Sequence, residues 1–158
     1  MAGFSLVLGS GIALTPGAPK TVIMITPGAN IPCKVVEFAI GFDGTSASNT
    51  PVLVELVGCT LATQGTRTIG VPIQTYGEST AVNIFSGFVN YTVEPTALTV
   101  LKEFLVTPNG GLLIMQSPLS RETTNGVSTS TQKGLGLRCT AQQAVNARGH
   151  FEVTEGGS

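Results

Sequence analysis

The chain of 158 residues contains no tryptophan, one histidine (His150), one aspartate (Asp43) and three cysteines. Hydrolytic, phosphoryl-transfer and metal-dependent centres draw on several converging Asp and His side chains. Single copies cannot furnish a two-metal cluster, a His-rich zinc site or an EF-hand loop. One His beside Arg148, with no Asp or Cys near it in sequence, reads as ordinary surface or edge structure. The inventory therefore predicts that the protein is not an enzyme and uses no cofactor or metal. Cys33, Cys59 and Cys139 form no Cys-x-x-Cys pair, and an odd count argues against a disulfide framework. Each lies in an apolar stretch and reads as a small buried hydrophobe, with a Cys33 to Cys59 bridge as the alternative.

Charge is scarce as well: 8 basic and 9 acidic residues give a net −1, and charged residues are only 11% of the chain. Arg67, Arg121, Lys133, Arg138 and Arg148 are dispersed and not interleaved with aromatics, so neither a nucleic-acid groove nor an anionic membrane is an expected partner. Long apolar runs are missing too. The N-terminal GFSLVLGSGIAL lacks a basic flank and is broken by Gly9 and Gly11, so it reads as neither signal peptide nor membrane anchor. Gly9-Ser10-Gly11 lacks the third glycine, the lysine and the following helix of a phosphate-cradling loop.

What is present is 20 Gly, 9 Pro and an abundance of Thr and Ser, with 42% hydrophobic residues and a mean hydropathy of +0.34. A surface this neutral, on a chain this apolar, predicts that much of the exterior is covered by other subunits, hence a homo-oligomer. Turn residues recur every ten or so positions between short runs of Val, Ile, Leu and Thr, the pattern of an all-β sandwich. The expected strands are Phe4–Leu8, Thr21–Thr26, Lys34–Phe42, Val52–Thr60, Val100–Thr107, Gly111–Gln116, Gly134–Thr140 and Ala147–Thr154. They predict a single antiparallel β-sandwich of jelly-roll type, about eight strands, with a long insert (61–95) between strands four and five.

In Lys34–Phe42 the even positions Val36, Phe38, Ile40 and Phe42 form the expected core face. Lys34–Phe42 and Val52–Thr60 are expected to pair across GTSASNT, and the FLV and LLIMQ runs across Thr107-Pro108-Asn109-Gly110-Gly111. TALTVLKEFL also fits helical spacing, but Thr99, Val100 and Val106 favour strand. In the insert only VNIFSGFVNY is expected to supply one short strand. The Thr/Ser-rich segment 117–133 is expected to be an exposed, mobile loop. Residues 1–20 read either as the first strand or as an arm that adds to a neighbouring subunit through Phe4, Leu6 and Leu8. Phe85 and Phe88 are either core packing under the insert or anchors into a partner, and Arg121-Glu122 is either a solvated local ion pair or an intersubunit contact.

The segments GAPKTV (17–22), Gly41-Phe42-Asp43-Gly44-Thr45, Thr50-Pro51-Val52-Leu53-Val54-Glu55-Leu56, Glu94-Pro95-Thr96, Pro118-Leu119-Ser120-Arg121-Glu122, Leu135-Gly136-Leu137-Arg138-Cys139-Thr140-Ala141 and Ala144-Val145-Asn146-Ala147-Arg148-Gly149 together span most of the chain. In this order they resemble a group of small all-β structural proteins of tailed bacteriophages and prophages. Ser120 stands where that group has glycine. The resemblance implies a virion component made in the bacterial host cytoplasm: a capsid decoration (cement) protein that trimerises on the capsid exterior and contacts the phage major capsid protein. It supplies no catalytic residue. A head-fibre or tail-associated module binding carbohydrate or a host surface is the alternative, disfavoured by the shortage of Trp, Tyr and Asp for sugar stacking and bonding.

Overall fold

The computed structural model describes residues 2–28, 33–44, 50–60, 65–77, 85–116 and 133–155. Among them are twelve strands: β1 (Ala2–Val7), β2 (Ile12–Leu14), β3 (Pro19–Thr26), β4 (Cys33–Asp43), β5 (Val52–Thr60), β6 (Thr68–Gly70), β7 (Ile73–Tyr76), β8 (Ser86–Val89), β9 (Leu98–Val106), β10 (Asn109–Gln116), β11 (Lys133–Thr140) and β12 (Val145–Glu155). The protein is all-β. Its two antiparallel sheets run β10-β4-β12-β1-β7, with β2 also on β12, and β6-β8-β3-β11-β5-β9. We call them sheets A and B. Every expected strand is present to within two residues at each end, including β9. The excess over eight comes from β2 and from three strands inside 61–95, an insert expected to hold one at most.

The pairing is nested. β1 lies against β12, β3 against β11, β4 against β10 and β5 against β9, so the chain runs as one long folded-back ribbon whose turning point is the insert. Both expected hairpins are overturned by this order. β4 and β5 belong to different sheets, as do β9 and β10, so the chain changes layer between each of these pairs instead of turning back as a hairpin. Turn chemistry marks where a strand ends, but it does not say whether the next strand joins the same layer.

One core fills the space between the sheets, with Phe4, Leu6, Ile40, Phe42 and Phe151 from sheet A facing Val22, Ile23, Val54, Leu56 and Leu137 from sheet B. On β4 the core face is not the expected one throughout. A bulge opposite Glu152/Val153 shifts the alternation, so Val35 is buried and Val36 only half-buried, whereas Phe38, Ile40 and Phe42 point inward as expected.

The N-terminal strand is not an arm. β1 is flanked by β12 on one side and β7 on the other, and Phe4, Leu6 and Leu8 are buried in the chain's own core. Gly9 and Gly11, with φ of +77° and +94°, supply the left-handed backbone that turns the chain from β1 into β2. The segment 117–132 lies outside the described residues.

Leu6 fixes how the open side of the sandwich closes. A Cβ at Gly70 would stand 2.6 Å from Leu6 Cδ1, and one at Gly87 2.7 Å from Leu6 Cδ2, so β6 and β8 of sheet B approach β1 of sheet A only because both positions lack a side chain. Leu6→Ala is expected to lower unfolding free energy by about 3 kcal/mol, and Gly87→Ala by about 1–3 kcal/mol. The double variant should lose less than the sum, because the vacated leucine makes room for the new methyl; denaturant unfolding of the four-member cycle measures this coupling.

Candidate interaction surface

The residues expected to meet a partner do not form one surface. Phe4, Leu6 and Leu8 are core residues, and Phe85 is buried edge-on against Phe4, ring centroids 5.9 Å apart, which makes it packing under the insert and not an anchor. Phe88 is half-buried on the outer face of sheet B, where the Arg67 guanidinium lies 3.9 Å from its ring centroid and donates to Gly65 O at 2.9 Å. Arg121 and Glu122 lie outside the described residues.

The outer face of sheet B is covered by the chain itself. After β8, Asn90 takes a positive φ of 51°, a conformation asparagine tolerates better than most residues. The segment 90–97 then crosses the sheet to reach β9 at the far edge. Asn90 and Tyr91 donate backbone N–H groups to Val22 O and Thr21 O. Beneath this strap Tyr91 packs with Met24, Val57 and Cys59 in a second small core, its hydroxyl 3.4 Å from Met24 Sδ, and burial raises its pKa. Met24 can lie there because β11 presents Gly134 and Gly136: a Cβ at either would stand 2.9 and 3.0 Å from Met24 side-chain atoms.

A polar row crosses the same face. Glu94 of the strap accepts from both the N–H and the hydroxyl of buried Thr21, each at 2.6 Å. In register beside Thr21, Arg138 donates from Nε and Nη2 to the two oxygens of Glu55, at 2.7 and 3.0 Å. That bidentate bond raises the Arg138 pKa, and it holds Glu55 with a side chain only 7% exposed. Glu55, out of phase with Val52, Val54 and Leu56, is thus a buried partner and not a solvated residue. Cys139, next in sequence, is fully buried and its thiol pKa is raised, chiefly by desolvation. All three cysteines are buried thiols and none forms a disulfide.

The outer face of sheet A is polar. Asp43 accepts from Arg148 Nε at 2.9 Å and from the Asn146 N–H at 3.2 Å, and Arg148 holds its carboxyl below the ordinary value. His150 Nε2 lies 3.1 Å from Glu37 Oε1, and Thr75 donates to Glu152 at 2.7 Å. The Tyr76 ring sits over Gly3, where a Cβ would collide with it.

Most of the exposed large aliphatic residues lie along the two sides of the sandwich, with Val7 of β1 and Val93 of the strap besides. Ile69, Val71 and Ile73 project from the β6–β7 ribbon, and Val100, Leu101 and Leu105 from β9. The alternation in Thr68-Ile69-Gly70-Val71-Pro72-Ile73 is visible in the sequence, but it is short and holds a proline, both of which count against a strand. Among the described residues no group of three or more His, Cys, Asp or Glu is placed to hold a metal, and no helix is long and apolar enough to cross a membrane.

Two measurements check these pairings. Glu55→Ala, which leaves Arg138 without its acceptor in a site 22% exposed on the Arg138 side chain, should cost about 2 kcal/mol in denaturant unfolding. Replacing both residues by leucine should return stability to within about 1 kcal/mol of wild type. For Asp43 the folded pKa is depressed, so its contribution is present above 3.8 and is lost as pH falls through the lowered folded value. Carboxyl NMR titration should place the Asp43 midpoint below 3.8, and Arg148→Met should move it back upward.

Comparison of the chain with protein-family models, with curated proteins and with solved structures finds no match.

Proposed function

We propose that the protein is a structural virion component, a homotrimeric decoration protein that stabilises a tailed-phage capsid by bridging neighbouring capsomers through non-covalent contacts with the major capsid protein. The observation that carries the reading is the combination of a charge-poor chain with apolar side chains left exposed along both long sides of the two-sheet fold. Such surfaces suit a subunit that works by shape and by many repeated weak contacts, because avidity across a lattice multiplies modest affinities. The nested strand pairing supports the finer fold reading. With β2, β6, β7 and β8 set aside, the order β10-β4-β12-β1 over β9-β5-β11-β3 favours a reading as an eight-stranded jelly roll, an architecture common in capsid proteins.

A glycan-binding appendage is the second reading. Exposed Tyr76, seated over Gly3 beside Thr75 and Glu152 of the polar face, is the one feature that favours it, since an aromatic ring flanked by a carboxylate suits a sugar.

The test adds purified protein to expanded capsid shells of the parent phage that lack it. Co-sedimentation at a saturable ratio, with extra density on the shell exterior by electron microscopy and greater resistance of the shell to heat, is expected. Absence of shell binding, together with glycan-array binding lost in Tyr76→Ala, would replace the first reading by the second.

A further inference from the structure

We infer that the strap 90–97 is a lid that opens as a unit on an otherwise intact sandwich, latched by the Glu94 carboxylate on Thr21, and that its opening uncovers Met24, Val57 and Cys59 on the outer face of sheet B. This conformational device is independent of the capsid role. It follows first from the division of the buried apolar residues into two cores. Cys33 and Cys139 belong to the large core between the sheets, whereas Met24, Val57, Cys59 and Tyr91 form a small one on the other side of sheet B. Met24 lies on β3 and Val57 and Cys59 on β5, but Tyr91 comes from the strap itself. Lifting the strap therefore dissolves the small core and leaves the large one closed.

The attachment of the strap permits this motion. It contributes no strand, so the strand order of neither sheet changes when it leaves. Its inward residues are Tyr91 and Pro95, both buried, with half-buried Glu94 between them, while Thr92, Val93, Thr96 and Ala97 are exposed. β8 pairs with β3 only from Ile23 to Thr26, and the next stretch of that edge is served by the strap. Val22 O accepts from the Asn90 N–H and Thr21 O from the Tyr91 N–H, and the Thr21 N–H and hydroxyl both donate to Glu94 at 2.6 Å. The carboxylate thus supplies the acceptor that a longer β8 would have offered as a backbone carbonyl, and a side chain can withdraw where a strand cannot.

A clasp holds the strap from its outer side. Thr66 O accepts from the N–H groups of Thr92 and Val93 at 2.8 and 3.2 Å, and Gly65 allows the approach, since a Cβ there would collide with Val93 O. Arg67 steadies the clasp through the Phe88 ring and Gly65 O. Thr66, Thr92 and Val93 are all exposed, so water can replace these bonds as they part. A segment that buries few apolar side chains and whose backbone bonds lie at the surface opens at a fraction of the global unfolding free energy.

The three native thiols report on the opening, because one lies under the strap and two lie between the sheets. Cys139 is the reference for global unfolding, since it sits on β11 between β3 and β5. Full-length protein is treated with iodoacetamide at increasing urea below the unfolding transition, and alkylation at each cysteine is followed by peptide mass spectrometry. In wild type Cys59 is expected to react at least about tenfold faster than Cys139 and with a much weaker urea dependence, because that slope scales with the surface exposed. Hydrogen exchange of the Tyr91 amide should follow the same urea dependence as Cys59.

Two variants separate the lid from the body. Glu94→Ala weakens the closed state against both the open and the unfolded one, so it should speed Cys59 and Cys139 alike, by at least about tenfold. Ile40→Ala, at a fully buried position of sheet A, weakens closed and open states equally, so it should speed Cys139 by at least about tenfold and leave Cys59 within about twofold of wild type. Equal rates and equal urea slopes for Cys59 and Cys139 in wild type, a result that needs no variant, overturn the inference. It is also overturned if Cys59 reacts without matching exchange at Tyr91, if Glu94→Ala leaves Cys59 unchanged, or if Ile40→Ala speeds both thiols together.

Discussion

The antiparallel pairing of β1 with β12 joins residues 2–7 to 150–155 and places the first strand of the chain beside the last in sheet A. Leu6 faces Phe151 across that pair and Phe4 faces Val153, all four buried, so the ladder's hydrogen bonds and these core contacts form together. Each inner pair of the nested order brackets the next, and nearly the whole sequence lies between the partners of the outermost one. Loop closure across such a span must be met before its contacts reward it, which makes this a high-contact-order fold. The same nesting explains why residues far apart in sequence supply the polar contacts: Arg138 with Glu55, Arg148 with Asp43, Glu94 with Thr21.

The two outer faces solve the problem of a charge-poor chain differently. Sheet A spends its charges there, with Asp43, Arg148, Glu37, His150 and Glu152 on one wet surface. Sheet B lies under its own strap. Its outward residues Met24, Val57 and Cys59 would otherwise be an apolar patch, and Tyr91 covers them while Glu94 anchors the strap to β3. The missing Cβ atoms of Gly134 and Gly136 are therefore part of the packing: they create the hollow that Met24 fills. A polar row of Thr21, Arg138 and Glu55 crosses at the end of that hollow, where the bidentate pair sets register and orientation between β11 and β5 more than it adds net stability.

The eight long strands were legible because each is a run of β-branched and apolar residues bounded by Gly, Pro or Asn, and the period of such runs survives burial on either face. Sheet membership was not legible. The segment GTSASNT and the turn at Pro108-Asn109-Gly110 have hairpin composition, yet the strands on either side of each belong to different sheets, since the partner of a strand is chosen by the whole nested order. Val36 was misplaced because a bulge changes the phase of an alternation without changing its residues. Phe4, Leu6 and Leu8 looked available to a partner for want of any sequence signal that β7 would arrive on their strand's far side. Ile69, Val71 and Ile73 were hidden in an insert expected to hold one short strand elsewhere, at VNIFSGFVNY.

What remains outside after this accounting is informative because it is so unevenly distributed. One broad face is wet and paired, the other is roofed, and apart from Val7 and Val93 the exposed large aliphatics lie along the two sides of the sandwich. A monomer could blunt those sides with lysines or prolines at small cost, as edge strands commonly do. Here Pro72 and Lys102 limit indiscriminate strand pairing at one point on each edge, but neither removes the aliphatic residues beside it. On the proposed function the charge-poor composition has one physical explanation: the surfaces that would ordinarily carry the missing charges are those a capsid partner would cover.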